Sequence, residues 1–164
     1  MNRFRPFFIK ENQKSSISES LLSLLKAGAF SISVAEHKSS LNLLSFFSLL
    51  DDKVLRGGVM CHSDASLIQM LGISSDLVIK KDCLDKRALA MANRIKDILK
   101  SDIGYACTKH SDSDFIYIGL GIATSQYQRS KVFKIMQDTQ DDQSSDLYFA
   151  PLYFFLSNQR KEEV

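Results

Sequence analysis

The sequence predicts an α/β fold: a three-layer α/β/α domain with a mixed, mostly parallel five-stranded sheet. Short segments rich in β-branched and apolar residues alternate along the chain with segments whose apolar residues recur every three or four positions. Strands that alternate with helices favour a largely parallel sheet covered on both faces. With 164 residues, of which 45% are apolar and 24% charged, the chain is long enough to bury such a core.

The first half of the chain reads as helix, strand, helix and strand. Leucines at helical spacing predict a helix over 17–27, which Gly28 ends. Alternating small, β-branched and aromatic residues predict a strand over 29–35, and a wide apolar face predicts a helix over 41–50. Paired glycines in a second strand, over 54–61, indicate a bend or a close backbone neighbour.

The second half continues this alternation. Two short helices are predicted, and a regular apolar repeat then predicts a long amphipathic helix. Three strands follow, the last two as a hairpin, and the chain ends in a helix that contains Pro151. A proline inside a helix removes one hydrogen bond at a cost of about 3 kcal/mol, so we expect this helix to start or kink near Pro151. The predicted helices span 63–71, 75–78, 88–99 and 146–160, and the predicted strands span 103–108, 114–123 and 131–137.

One domain is expected, at 17–164, preceded by an N-terminal extension at 1–16, because no linker, repeat or low-complexity tract divides the chain. A net charge of +2 argues against nucleic acid or an anionic membrane as the main partner. The apolar runs are too short for a secretory signal or a membrane span, and the three cysteines lack Cys-x-x-Cys spacing. We therefore expect a cytoplasmic protein with reduced thiols and no cofactor.

Three segments carry a resemblance to a known family. The segment Ala35-Glu36-His37-Lys38-Ser39-Ser40-Leu41 stands where the CinA C-terminal domain family of nicotinamide mononucleotide deamidases has Ala-Glu-Ser-Cys-Thr-Gly-Gly. The segment from Gly57 to Ile73 matches the spacing of that family's Gly-Gly-Val-Val-Thr-Tyr-Ser-Asn, a following lysine, and Leu-Leu-Gly-Val. A third segment, Ala88-Leu89-Ala90-Met91-Ala92, resembles a similar Ala-Leu-Ala-Met-Ala. The resemblance extends over residues 17 to 160.

This resemblance implies a three-layer α/β/α fold and an amidase in which a lysine activates a serine nucleophile. At those two positions this chain has His37 and Leu67, and a leucine cannot accept a proton. The family's next loop, Thr-Gly-Ile-Ala-Gly-Pro, is replaced by the glycine-free stretch 108–114. We therefore expect a degenerate CinA-like domain that has lost its amidase groups and acts as a nucleotide-binding or protein-interaction module.

The alternative is a nicotinamide-nucleotide amidohydrolase that uses relocated groups. The catalytic candidates are His37, Ser39 and Lys109. Ser39 would attack with Lys38 or His37 as base, or His37 would itself be the nucleophile, and Lys109 would replace the lost lysine.

The ligand-binding hypothesis places a nucleotide phosphate on the first amides of the helix after Ser39, beside Lys38. A capped helix beside an exposed lysine explains the same residues and is favoured. The candidate ligand-binding residues, for a nucleotide or a small amide, are Glu36, Lys38, Ser39, Ser40, His62 and Thr108.

A less favoured hypothesis is a metal-dependent hydrolase. His37, His62 and His110 each follow a predicted strand end, so parallel strands would turn three imidazoles toward one cleft, a zinc-like arrangement. Solvated histidines in polar edge loops are the favoured interpretation, since the spacing matches no metal motif.

Three further patterns bear on possible ligands and partners. Basic residues over 80–100, including Arg87 and Lys96, predict a solvated outer side of the long helix rather than a nucleic-acid footprint. Gly119-Leu120-Gly121 lies within a strand and lacks the third glycine of a dinucleotide motif. The tail over 147–156 has more large apolar residues than one buried stripe needs, so we expect a homo-oligomer or, equally, ordinary core packing.

Overall fold

The computed structural model describes residues 17–28, 30–39, 41–124, 128–136 and 145–162. The predicted extension at 1–16 and Ser40 lie outside these ranges. The helices are α1 (Ile17–Ala27), α2 (Leu43–Phe47), α3 (Asp64–Leu71), α4 (Ser75–Ile79), α5 (Leu84–Leu99) and α6 (Ser145–Glu162), with a 3-10 turn at Lys81–Cys83. The strands are β1 (Ile32–His37), β2 (Leu55–Cys61), β3 (Ile103–Lys109), β4 (Phe115–Ala123) and β5 (Gln128–Met136).

The five strands form one mixed sheet in the order β2-β1-β3-β4-β5. β1 pairs in parallel with β2 and β3, whereas β4 is antiparallel to both β3 and β5. Four strands therefore run in one direction and β4 runs against them. The predicted five-stranded mixed sheet and the β4–β5 hairpin are both confirmed.

Helices cover the sheet on both faces, as predicted. One core lies between the sheet and α1, α2 and α6, and it contains Val34 of β1 together with Tyr105 and Cys107 of β3. The other core lies between the sheet and α3, α4 and α5, and it contains Ala35 and Ala106. Successive residues of one strand enter different cores because side chains alternate across a pleated sheet.

Helix α5 packs with its backbone almost against the sheet. A Cβ atom added to Gly104 would lie 1.9 Å from the carbonyl oxygen of Ala92, and one added to Gly119 would lie 2.1 Å from that of Ala88. Gly119 pairs with Ala106 of β3. The contact with α5 thus moves from Ala92 back to Ala88 as β3 advances from Gly104 to Ala106, so α5 runs antiparallel to β3. The first turn of α5 therefore lies beside the carboxyl end of β3.

Several element boundaries differ from the predicted ones. Helix α2 spans only Leu43–Phe47, because Asn42 before it has a left-handed φ of 57°. Helix α5 begins four residues earlier than predicted, directly after the 3-10 turn. Helix α6 begins at Ser145, so it does not start at Pro151. Burial of Phe149 and Leu152 on either side of the proline offsets the missing hydrogen bond.

No helix within the described ranges is long and apolar enough to cross a membrane.

Replacing Gly119 by alanine is expected to lower the free energy of unfolding by about 2 kcal/mol or more, because the new methyl group collides with backbone atoms of α5. Urea unfolding followed by circular dichroism measures the change. Gly28→Ala is the control, since its Cβ would lie 3.1 Å from the nearest atom and needs only a small shift. Equal stability of Gly119→Ala and the wild type would contradict the close helix–sheet contact.

Candidate functional site

The three parallel strands β1, β2 and β3 end at one edge of the sheet, with His37, Cys61 and Lys109 as their last residues. The predicted site residues that the structure describes lie at or beside these strand ends. Several of them form two separate groups, because neighbouring residues of a strand point to opposite faces. We call them the Glu36 cluster (Glu36, Ser39 and Cys107) and the His37 cluster (His37, Lys38, Asp64 and Thr108).

In the Glu36 cluster, one buried carboxylate holds the start of α2. Glu36 Oε1 accepts hydrogen bonds from Ser39 Oγ at 2.8 Å and from the Asn42 amide at 2.9 Å. Glu36 Oε2 accepts one from the Leu43 amide at 2.9 Å. The amides that were expected to bind a phosphate are thus already bonded to a negative charge of the protein itself. Phosphate binding at this helix stays a prediction, and it would require displacing the Glu36 carboxylate.

Ser39 is 1% exposed and belongs to a closed hydrogen-bond network. Its hydroxyl proton goes to Glu36, so the Cys107 thiol donates to Ser39 Oγ across a distance of 2.9 Å. Burial, together with the nearby charge of Glu36, raises the pKa of the Cys107 thiol, although the Ser39 hydrogen bond opposes this. The thiol stays protonated and unreactive.

In the His37 cluster, a buried imidazole connects β1 to β3 and to α3. His37 Nδ1 lies 2.9 Å from Thr108 Oγ1, and His37 Nε2 lies 3.1 Å from Asp64 Oδ1. The same oxygen accepts a 2.7 Å hydrogen bond from Lys38 Nζ. An ionised carboxylate only accepts, which assigns the imidazole proton to Nε2 and leaves Nδ1 to accept from Thr108.

Burial and the nearby positive charges keep the His37 imidazole neutral. Burial lowers the pKa of His37 to about 4, the positive charges of Arg87 and Lys38 act in the same direction, and Asp64 opposes them. Burial acts to raise the pKa of Asp64, but the hydrogen bonds and charges of Lys38 and His37 outweigh it and lower that pKa. At neutral pH the cluster therefore holds a neutral histidine beside an ionised aspartate.

Arg87 is a further buried residue near this edge. It was expected on the solvated side of the long helix, but it is only 2% exposed. Its Nε donates to the carbonyl of Leu77 at 2.9 Å, and its Nη2 donates to those of Val78 and Lys80. Burial lowers the pKa of the Arg87 guanidinium.

The signal for this burial was present in the sequence. Arg87 lies three residues after Leu84 and four before Met91, in phase with the apolar stripe of the helix. Lys96 occupies the same stripe, four residues after Ala92. It too is buried, with its Nζ 2.7 Å from Asp97 Oδ1. The predicted solvated basic side is therefore wrong for these two residues.

Leu67, at the position where the resemblance implies a catalytic lysine, is a core residue. It is fully buried on α3, in the cluster that contains Ala35, Cys61 and Met91. Leu41 packs, half-buried, against the other core.

The three histidines do not come together. His37 is the last residue of β1, His62 is exposed, and His110 Nδ1 accepts a 3.2 Å hydrogen bond from the Asp112 amide. The part of the chain that the structure describes contains no group of three or more His, Cys, Asp or Glu residues that could hold a metal ion. The three-histidine metal hypothesis is therefore wrong for these residues.

The proposed catalytic pairings are also not formed as expected. His37 is not placed as a base for Ser39, because the two residues belong to clusters on opposite faces of the sheet. Lys38 is not placed as a base for Ser39 either, because its Nζ is bonded to Asp64. Lys109 is half-buried, and the alternation of β3 puts it on the same face as Cys107. Thr108 is fully buried as a partner of His37 rather than open to a ligand.

These features define a class of protein: a three-layer α/β/α domain whose strand-end polar residues bond to one another. The same fold is found in CinA superfamily proteins, which confirms the resemblance at the level of fold. Neither a protein-family model nor a curated protein sequence matches the chain.

Three crystal structures illustrate this likeness. A competence-damaged protein (CinA) superfamily protein from Enterobacter cloacae superposes with a TM-score of 0.71 at 14% identity, over 93% of this chain and 99% of that one. One from Escherichia coli gives 0.68 at 18% identity, over 95% and 98%. A competence or damage-inducible protein from Enterobacter asburiae gives 0.67 at 18% identity, over 85% and 96%.

Acidification is expected to destabilise the protein through His37. The unfolded chain binds a proton at this imidazole near its ordinary pKa of 6.5, whereas the folded protein does so only near 4. The free energy of unfolding therefore decreases as the pH falls from 6.5 to about 4, by up to about 3 kcal/mol. Urea unfolding at several pH values, compared with His37→Gln, measures this contribution. Identical pH dependence in both proteins would contradict the neutral buried histidine.

Placing a lysine at position 67 is expected to destabilise the fold. Leu67→Lys puts an ammonium group into an apolar core, at a cost of about 3 kcal/mol at neutral pH. The cost falls as the pH approaches the ordinary lysine pKa, because the neutral amine is tolerated. Denaturant unfolding at neutral and alkaline pH tests this, with Leu67→Met as the volume-matched control. Wild-type stability of Leu67→Lys would show that the position is open to water.

Proposed function

We propose that this chain is a CinA-fold protein without amidase chemistry, acting as a protein-interaction module. The observation that carries the proposal is the burial of the two candidate nucleophiles, since Ser39 is 1% and His37 0% exposed. A nucleophile must reach the substrate carbon, and a general base must reach the proton it removes. Both side chains instead form hydrogen bonds to other residues of the fold: His37 to Thr108 and Asp64, and Ser39 to Glu36.

A protein partner is favoured over a nucleotide. The helix amides suited to a phosphate donate their hydrogen bonds to the Glu36 carboxylate, and Lys38 donates to Asp64. A nucleotide phosphate would have to displace a buried carboxylate and leave it without partners, which costs free energy. A protein surface requires no such displacement.

The alternative is an amidohydrolase on nicotinamide mononucleotide or a related amide. The observation in its favour is the 2.8 Å hydrogen bond between Ser39 and Glu36, because a carboxylate can take the proton of an attacking hydroxyl. This mechanism requires the segment between Ser39 and α2 to open and expose the hydroxyl.

The interaction module and the amidohydrolase predict different amounts of ammonia released from nicotinamide mononucleotide. Purified protein incubated with nicotinamide mononucleotide is expected to release no ammonia above a protein-free blank, as measured by an enzyme-coupled assay, with an active deamidase as positive control. Ser39→Ala and Lys109→Ala are expected to behave as the wild type does. Turnover by the wild type that either substitution abolishes would instead establish the amidohydrolase with relocated groups.

A further inference from the structure

Two sulfur atoms meet where the end of β2 packs against α3. Cys61 is the last residue of β2, and Met70 lies in the last turn of α3. The Cys61 thiol donates to the Met70 thioether, with Sγ and Sδ 4.0 Å apart. Cys61 is buried in the core between the sheet and α3, α4 and α5, whereas Met70 is 51% exposed. The sulfur pair therefore lies at the boundary between that core and solvent, and an ion can reach it through Met70.

The separation of the two sulfurs suits a bridging metal ion. A bond between a metal ion and sulfur is about 2.3 Å long, so an ion bonded to both sulfurs across 4.0 Å would make an S–metal–S angle of about 120°. This is the angle of a three-coordinate, trigonal site. A thiol is a weak donor and a thioether a weak acceptor, so little is lost when the ion replaces the thiol proton.

The kind of donor atom selects the ion. Thiolate and thioether ligands favour soft ions such as Cu(I). Structural zinc sites take four protein ligands as a rule. Within the described ranges no three His, Cys, Asp or Glu residues are grouped so that they could hold a metal ion, so such a zinc site has too few ligands here.

The charge of the ion points the same way. One thiolate neutralises one Cu(I), so the bound pair carries no net charge. A divalent ion would leave a positive charge beside the apolar side chains of this core, among them Leu67 and Leu71. An uncompensated charge next to apolar surroundings is costly. A monovalent ion is therefore favoured over a divalent one.

We propose that Cys61 and Met70 bind one Cu(I) ion per chain. The bond to Cys61 Sγ forms as the thiol proton leaves to water, and Met70 Sδ donates a lone pair to the same ion. Copper stays Cu(I) throughout, so the step needs no oxidant or reductant. The third position of the trigonal site is left for a small donor from solvent. The site uses no group of the Glu36 or His37 clusters, so the inference is independent of the proposed function.

Anaerobic titration of the reduced protein with Cu(I), in competition with bicinchoninate, measures stoichiometry and affinity. The wild type is expected to bind one ion per chain and to release one proton per ion, as measured with a pH indicator in weak buffer. X-ray absorption of the loaded protein is expected to show two protein sulfur atoms about 2.3 Å from copper.

Four variants locate the ion. Met70→Leu removes the thioether and is expected to lower the affinity about tenfold or more, which is at least the loss typical of a residue behind the ligands. Met60→Leu, the matched change at an exposed methionine beside Cys61, is expected to leave the affinity unchanged. Cys61→Ser is expected to abolish binding, whereas Cys83→Ser, at a half-buried free thiol, is expected to retain it. Circular dichroism and thermal unfolding check that each variant is folded.

Three results would overturn the inference. The first is a wild type that takes no Cu(I) from bicinchoninate. The second is binding that survives Cys61→Ser or that Cys83→Ser abolishes, because the ion would then be held by another thiol. The third is equal affinity of folded Met70→Leu and the wild type, which would leave the thioether without a role.

Discussion

The contact between the backbone of α5 and the glycines of β3 and β4 is the constraint on which the rest of the structure depends. With no side chain at Gly104 or Gly119, the helix lies directly on the sheet and runs antiparallel to β3. This fixes the first turn of α5, and with it Arg87, beside the carboxyl ends of the parallel strands. The charge of Arg87 then helps to keep His37 neutral. Helix packing thus contributes to the electrostatics of the strand-end edge.

The sheet separates the chemistry of this edge into two networks. The Glu36 carboxylate satisfies the start of α2, and the His37 imidazole connects β1, β3 and α3. Both networks consist of buried polar groups that bond to one another, as such groups must to avoid the cost of desolvation. In this chain they hold secondary structure elements together, and a fold does not by itself fix the chemistry that it carries.

The two lateral edges of the sheet differ in charge. The outer strand β5 carries several cations, whereas the outer strand β2 has Arg56 as its single charged residue. Charged side chains are a common protection of an exposed edge strand against pairing with another chain.

The sequence by itself determined the order and type of the elements, because helix and strand periodicities are local properties that each segment shows without its neighbours. Only the tertiary structure decided where the polar side chains lie. The predicted first strand ended at residue 35, which left Glu36 and His37 in one loop, whereas β1 continues to His37 and sends them to opposite faces. The burial of Arg87 likewise depends on carbonyl groups in and just after α4, which only the packing of α4 on α5 brings within hydrogen-bonding distance.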